Sequence, residues 1–465
     1  MAHSDHAAEG SVEQERGGEV LIMCDLGYTG GGIVTCGEDL TFNTADVLCV
    51  SISTFATSGE VLSHQKISNL FGGFTGIIDD SNSNLGFGIC ELGDVDGDSV
   101  SDILSGAVLS DAVGAVFVMF LERDGSVLSH QKITSNTGGF TGSLNSHDYF
   151  GIAAAGIGDL NGDLVPDVAI TAFKDDDGSS DNGAVYIMFL TDSGTVRSHQ
   201  KIGASTGGLT ASLSSDYLGR SVSYLGHMGH DGDAVLAIGS HGDDEAANNA
   251  GTIFITTISS EGRVTSFTKV TSSRAGFTAV LASDDWFGMS NSPLVINPND
   301  NALTLAVGAG QDNDGGSNVG AIYIIFMLDY SVLSHQKISA LQGGLTAELG
   351  SDSSFSRDLG NVGDLNLDGV SDLIVGAPND GAAFILFLQS DGLCLSHRKI
   401  SLGSAGFTAV IATDDSFGYS VAAIGDLNGD SVMDFAAGAI NDDDEASNSG
   451  AIYVMFGAGN HGIVL

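Results

Sequence analysis

Seven-residue runs that open on glycine and continue with β-branched and aromatic side chains recur through the chain. They read GAVFVMF at 114–120, GAVYIMF at 183–189, GTIFITT at 251–257, GAIYIIF at 320–326, GAAFILF at 381–387 and GAIYVMF at 450–456. Apolar and polar positions hardly alternate within them, the pattern of a strand covered on both faces. Each is followed by a strand carrying SHQKI or a variant, and then by Gly-Gly-Phe-Thr or similar text. Two further strand-like runs precede it. The first begins at an aromatic-Gly pair, at Phe87-Gly88, Phe150-Gly151, Phe287-Gly288 and Phe417-Gly418, with altered versions at Leu218-Gly219 and Phe355-Ser356. The second ends in a corner of small residues, as in Leu104-Ser105-Gly106-Ala107 and Val375-Gly376-Ala377-Pro378.

Between the lysines of the SHQKI text (Lys66, Lys132, Lys201, Lys269, Lys337 and Lys399) the intervals are 66, 69, 68, 68 and 62 residues. Four short strands per unit at that period predict an all-β fold, a β-propeller, whose blades bury their faces only against one another. The length predicts seven blades over residues 19–465, behind a loose polar tail at 1–18. The first blade is a degenerate unit of four runs, Val20–Met23, Gly32–Cys36, Asp46–Ile52 and Val61–Ile67. Ring closure is expected to bring residues near 20–60 beside residues near 420–465.

Between the first two strands of four units lies a loop of closely spaced oxygen side chains. Counting from its first aspartate, oxygens fall at positions 1, 3, 5 and 9: Asp94, Asp96, Asp98 and Asp102; Asp159, Asn161, Asp163 and Asp167; Asp364, Asn366, Asp368 and Asp372; Asp426, Asn428, Asp430 and Asp434. Position 7 is always valine (Val100, Val165, Val370, Val432), whose carbonyl is available as a ligand. Ca²⁺ takes six to eight oxygens at about 2.3–2.6 Å, and a tight turn of short Asp and Asn side chains suits it. Asp, Asn and Gly are also ordinary turn formers, but four copies at one spacing predict about four Ca²⁺ sites tying first strand to second.

Phe150-Gly151, the loop Gly158-Asp159-Leu160-Asn161-Gly162-Asp163 and the Gly376-Ala377-Pro378 corner resemble the signature of FG-GAP repeats, the family that builds the seven-bladed propeller at the head of integrin α-subunits. The likeness extends over nearly all of the chain beyond residue 20. It implies four-stranded FG-GAP blades, Ca²⁺ on one rim of the ring and ligands at the opposite rim. Two units depart from the loop pattern, with His227, Gly229, Asp231 and Val235 in one and Ile296, Pro298, Asp300 and Thr304 in the other. Those loops are expected to hold no ion. No docking surface for a partner β-subunit is evident.

Composition narrows the function. With 42% hydrophobic residues, 16% charged and 66 glycines, the chain reads as a turn-rich folded β protein rather than a disordered one. The formal charge of −44, from 59 acidic and 15 basic residues, would repel a nucleic-acid backbone or an anionic membrane. The N-terminal segment has no apolar core of a signal peptide, and no run of about 18 apolar residues occurs. Five cysteines, Cys24, Cys36, Cys49, Cys90 and Cys394, show neither metal-type spacing nor a disulfide framework, although one bridge among the first three is open.

Acidic loops precede the third strands: Asp175–Asp177, Asp243–Glu245, Asp312 with Asp314, and Asp442–Glu445. They read either as a face for a cationic or ion-bridged ligand or as solvated loop ends. A histidine in nearly every SHQKI copy reads as packing rather than a single active site. His227, His230 and His241 near Asp231 and Asp233 form the one local His/Asp group, best explained as a decayed metal loop. Trp286 reads as core-edge packing. No nucleophile elbow, zinc-protease helix or phosphate-binding loop is present. The expectation is a non-enzymatic, calcium-binding adhesion or ligand-recognition module, extracellular or at the cell surface, taking a protein or glycan ligand at the rim opposite the calcium loops. The alternatives are a propeller enzyme acting on polysaccharide and a structural unit of an extracellular coat or filament.

Overall fold

The structure is a computed structural model that describes residues 59–76, 82–176, 178–227, 233–296, 303–444 and 446–458, with the backbone of the strands Glu19–Met23, Tyr28–Thr35 and Leu48–Ser51. It divides into two compact units, Gly59–Gly457 and Met1–Ser58 with Ala458–Leu465. In the smaller unit the three strands form one antiparallel sheet in sequence order. Cys24 and Cys36 lie outside the described residues.

The larger unit is a propeller of six four-stranded antiparallel blades. The first comprises Leu85–Gly93, Asp102–Ala107, Ala115–Leu121 and Val127–Ile133; the second Phe150–Gly158, Asp167–Ala172, Ala184–Leu190 and Val196–Ile202; the third Leu218–His227, Ala234–Ser240, Thr252–Ile258 and Val264–Val270. The fourth comprises Phe287–Leu294, Leu303–Ala309, Ala321–Leu328 and Ser331–Ser339; the fifth Leu359–Gly363, Asp372–Ala377, Ala382–Leu388 and Cys394–Ile400. The sixth has Phe417–Gly425, Asp434–Ala439 and Ala451–Gly457, and Val61–Ile67 from the other end of the chain is its outer strand. In that pairing Ile67 faces Ile452 and Lys66 faces Tyr453.

The expected seven blades are therefore six. The SHQKI strand at Val61–Ile67 belongs in space to the last blade and not to the runs before it in sequence, so those runs lack a fourth strand. First strands touch in order around the ring and the sixth touches the first. Residues of all six line one central channel.

Two devices join the blades. Gly106, Gly239, Gly376 and Gly438, at the corner of the second strand, lie so close to the next blade that an added Cβ would strike the carbonyl oxygens of Gly151, Gly288, Gly418 and Gly86. Gly86 also corrects a register. In the first blade the aromatic-Gly place is taken by Leu85-Gly86, nine residues before Asp94 as Phe150 is before Asp159, and Phe87 stands one place further on. At the outer edge the backbone N–H of Val127 donates to Gly72, Val196 to Gly138, Val264 to Gly207, Val332 to Ala275, Cys394 to Gly343 and Val61 to Ala405. The same loops drive phenylalanines onto the repeat histidines of the following blade: Phe74 on His130, Phe140 on His199, Phe277 on His335 and Phe407 on His64, at 4.8–5.1 Å between ring centres.

The repeat lysines reach across their own blades to the acidic loops. Lys66 pairs with Asp442 and Asp444, Lys132 with Asp111, Lys201 with Asp175, Lys269 with Asp243 and Glu245, and Lys337 with Asp312 and Asp314. Each ammonium also lies 5.6–5.8 Å from the ring of Tyr453, Phe117, Tyr186, Phe254 or Tyr323 in the third strand. Asp175, Asp243, Asp312 and Asp442 are buried. The leading carboxylate of each of these loops is thus a rim stitch rather than free ligand surface.

Asp148, Asp216 and Asp285, two residues before first strands, are buried near those carboxylates. Burial, then the Asp175, Asp243 and Asp312 charges beside them, pushes each up to about 6 against the opposing effect of the rim lysines and local amides. Their folded state therefore binds protons more tightly than the unfolded chain, where Asp titrates near 3.9. The stability they contribute is present below about pH 4 and lost as pH rises towards 6. In chelator, the melting temperature should fall between pH 4.5 and pH 6.5, measured by calorimetry; a rise over that interval would contradict these assignments. Gly239→Ala should destabilise the propeller by roughly 3 kcal/mol or more, because the new methyl meets backbone rather than a movable side chain. Chemical denaturation of this variant beside the unaltered chain measures the effect.

Candidate metal centre

The four oxygen-rich loops share one geometry. Gly162 and Asp163 N–H groups donate to Oδ1 of Asp159 at 2.7 and 2.9 Å, Leu164 N–H donates to its Oδ2 at 2.8 Å, and Val165 N–H donates to Asp163 Oδ1 at 3.1 Å. The same pattern holds around Asp94 and Asp426. Around Asp364 the donors are Asp368 and Gly369. The fold over the first aspartate requires left-handed backbone at positions 4 and 6. Gly162 (φ 81°) and Leu164 (φ 72°) supply it in the second blade, Leu367 (φ 64°) and Gly369 (φ 88°) in the fifth.

Position 9 has a different role from the other three. Asp102, Asp167, Asp372 and Asp434 are fully buried. One oxygen of each accepts from the position-2 N–H (Val95, Leu160, Leu365, Leu427) at 2.9–3.0 Å. The other accepts from the far end of the third strand: Leu121, Leu190, Leu388 and Gly457, at 3.0–3.2 Å. This carboxylate therefore clamps the loop and two strands together, which its spacing in the sequence does not reveal. Burial, and then the neighbouring loop aspartates, pushes Asp102 and Asp372 up to about 7 and Asp167 and Asp434 to about 6, although the amide bonds work the other way.

The donor sets suit a hard cation. Asp94, Asp96 and Asp102 each place a carboxylate oxygen within 4.8 Å of the others, and oxygens bound to one ion at about 2.4 Å lie at most about 4.8 Å apart. The remaining loops carry asparagine at position 3. Asn366 and Asn428 donate from Nδ2 to Asp368 and Asp430 at 2.9 and 3.1 Å, and Asp163 accepts from Arg197 at 2.7 Å. These amide and guanidinium donors stand where a cation would otherwise relieve the crowded oxygens. The valines at position 7 are also packing residues: Val100, Val370 and Val432 are buried, and Val100 and Val370 belong to the cores between blades.

Of the two divergent loops, His227 ends a first strand, Val235, Ile296 and Thr304 are described and the last three are buried. Gly229, His230, Asp231, Pro298 and Asp300 lie outside the described residues. His241 stacks on Tyr217 at 5.0 Å and meets Trp286 at 5.0 Å, at the other end of its blade from His227.

A family model described as FG-GAP repeat matches residues 417–455, the first three strands of the sixth blade with its oxygen-rich loop. Integrin alpha-2 from Mus musculus is 29% identical over 201 residues, 42% of this chain and 16% of that protein. Integrin alpha-6 from Homo sapiens is 30% identical over 140 residues, 30% of this chain and 11% of that protein. The matched regions are thus a small part of those relatives. Among solved structures, an α-L-arabinofuranosidase from Fusarium graminearum is similar over 85% of this chain and 98% of that one, at 12% identity and a TM-score of 0.49. The chain is a β-propeller of four-stranded blades that carries an FG-GAP repeat in its sixth blade and is similar in sequence to integrin α-subunits.

Proposed function

We propose that this propeller is a calcium-stabilised adhesion or ligand-recognition module, working outside the cell or at its surface, with Ca²⁺ in the four loops and a protein or glycan ligand at the opposite rim. The observation that carries the calcium reading is the convergence of Asp94, Asp96 and Asp102 on one point, in a loop repeated three more times. In each loop the ion would be held by the side chains at positions 1, 3, 5 and 9 and the carbonyl at position 7. It would neutralise carboxylates crowded into one hairpin and so tie first strand to second. The recognition reading follows from the likeness to integrin α-subunits, in a propeller whose two rims are kept apart by first strands of up to ten residues, about 30 Å.

Chelation should lower the melting temperature by several degrees or more. Each site occupied at a hundredfold excess over Kd contributes about 2.7 kcal/mol. Two variants separate ion binding from folding. Asp96→Ala, at an exposed side chain, should lower the melting temperature in calcium and leave it unchanged in chelator. Asp167→Ala removes both bonds of the buried clamp and should destabilise by roughly 3 kcal/mol even in chelator, with the loss of an ion ligand adding to this in calcium. Melting that does not respond to chelator would refute the calcium reading. A glycan and protein array run in calcium tests recognition, and its failure across both ligand classes would refute that part.

A further inference from the structure

At the rim opposite the oxygen-rich loops the channel opens into a cup of about 550 Å³. The third residue from the aromatic-Gly place of the six first strands is Phe87, Ile152, Arg220, Met289, Arg357 and Tyr419 in turn, and the last four of these line the cup. Four blades thus fill this place with an apolar or aromatic side chain, and the fold does not call for a charge there. The two arginines occur in the third and fifth blades, where the aromatic-Gly pair is itself altered, to Leu218-Gly219 and Phe355-Ser356.

Among the described residues neither guanidinium bonds a carboxylate or carbonyl, and both lie in the field of a single carboxylate, Asp358. Arg220 is only 7% exposed; its contacts among the described residues are the Phe173 ring at 5.9 Å and the field of Asp358. Arg357 lies over the Tyr419 ring at 3.8 Å. Asp358 is spent elsewhere, accepting from the N–H groups of Leu359 and Val421 at 3.0 and 2.9 Å. His241, 7% exposed, leaves Nδ1 unbonded beside them, and Lys174 sits over Tyr149 at 5.3 Å with no ion pair among the described residues. Burial works against both guanidinium charges, yet arginine stays protonated in proteins. Two cations that share one carboxylate leave an excess positive charge away from water, which is expensive unless a further anion is supplied.

We propose that this cup binds the carboxylate of a small ring-shaped ligand, an acidic monosaccharide unit, with Arg220 and Arg357 on the carboxylate and Tyr217, Trp286 and Tyr419 against the ring. Guanidinium forks match a carboxylate in two parallel bonds, and an aromatic wall with a few convergent polar groups is the usual construction of a small-ligand site. The field around the cup sets the size of the anion. Asp176, Asp244 and Asp443 on the rim loops are exposed in a chain of net charge −44, so a polyanion would be repelled while a single buried charge is accepted. The inference rests on the reading of this rim as the ligand-facing side, and names what it would take.

Trp286 is the sole tryptophan and lines the cup, so its fluorescence reports occupancy in the unaltered chain. Titration with glucuronate in calcium should give a saturable change that glucose at equal concentration does not. Arg220→Met and Arg357→Met introduce the residue that the fourth blade carries at this place. They should fold with little change in melting temperature and weaken glucuronate binding about tenfold or more, the loss expected for a charged hydrogen-bonded pair. Absence of saturable binding at millimolar glucuronate, equal binding of glucose, or unchanged affinity in both variants would overturn the proposal. So would tighter binding of a short peptide bearing one aspartate. A positive ligand array beside a failed glucuronate titration would discard this site while leaving recognition by the rim intact.

Discussion

Close backbone contact near the axis governs this molecule. In five of the six blades the second strand lets the next blade's first strand approach without a side chain between them, at Gly106, Gly239, Gly308, Gly376 and Gly438; in the second blade Thr171 takes this place and Gly219 of the third blade makes room for it. Glycine on both sides of the contact explains the recurring text at the two ends of the unit. The aromatic residue beside one glycine fills the wedge that opens with distance from the axis, where Phe150, Phe287 and Phe417 are fully buried. The lysine–carboxylate pairs and the oxygen-rich loops are then displaced to the rims. Rim chemistry is accordingly where the blades differ from one another.

The two rims solve the same electrostatic problem in different ways. On the acidic-loop rim, carboxylates are matched by lysines that the repeat itself supplies, each held over an aromatic ring of its own blade. On the other rim no repeat lysine is within reach, and backbone N–H groups take up the loop carboxylates. Amide bonds satisfy the oxygens as acceptors but leave net negative charge in a tight turn, most of all beside the buried position-9 aspartates. A divalent cation would cancel that charge without disturbing the amide bonds. The buried aspartate ties the loop to two strands of the blade, so such a site would be preformed rather than assembled around its ion.

Much of the architecture was legible because a repeat states its own period, and four strands per unit, the loop position and the inter-blade text all followed from it. The blade count was not. Val61–Ile67 reads as the fourth strand of whatever precedes it in sequence, and only hydrogen bonding to Ala451–Gly457 assigns it to the other end of the chain. Likewise Phe87-Gly88 looked like the aromatic-Gly pair of its blade until the contact of Gly86 with Gly438 fixed the register. The loops were legible as oxygen clusters, but the clamp at position 9 was not: Asp167 meets Leu190, and nothing in the local spacing marks that partner.

Arg220 and Arg357 escaped a reading built on recurrence, because they are departures from it. A periodic sequence advertises what every blade needs for folding, whereas a site occupied once per ring must break the period. Aligning the units on the first aspartate of each loop, rather than on the aromatic-Gly pair, exposes both arginines at once, since each lies seven residues before that position in its own unit. In a propeller the useful question is therefore which inner-strand residues differ between blades at equal depth. Here the answer is two positive charges, in a chain with very few, which among the described residues share one carboxylate, Asp358, and otherwise meet aromatic rings and whatever enters the channel.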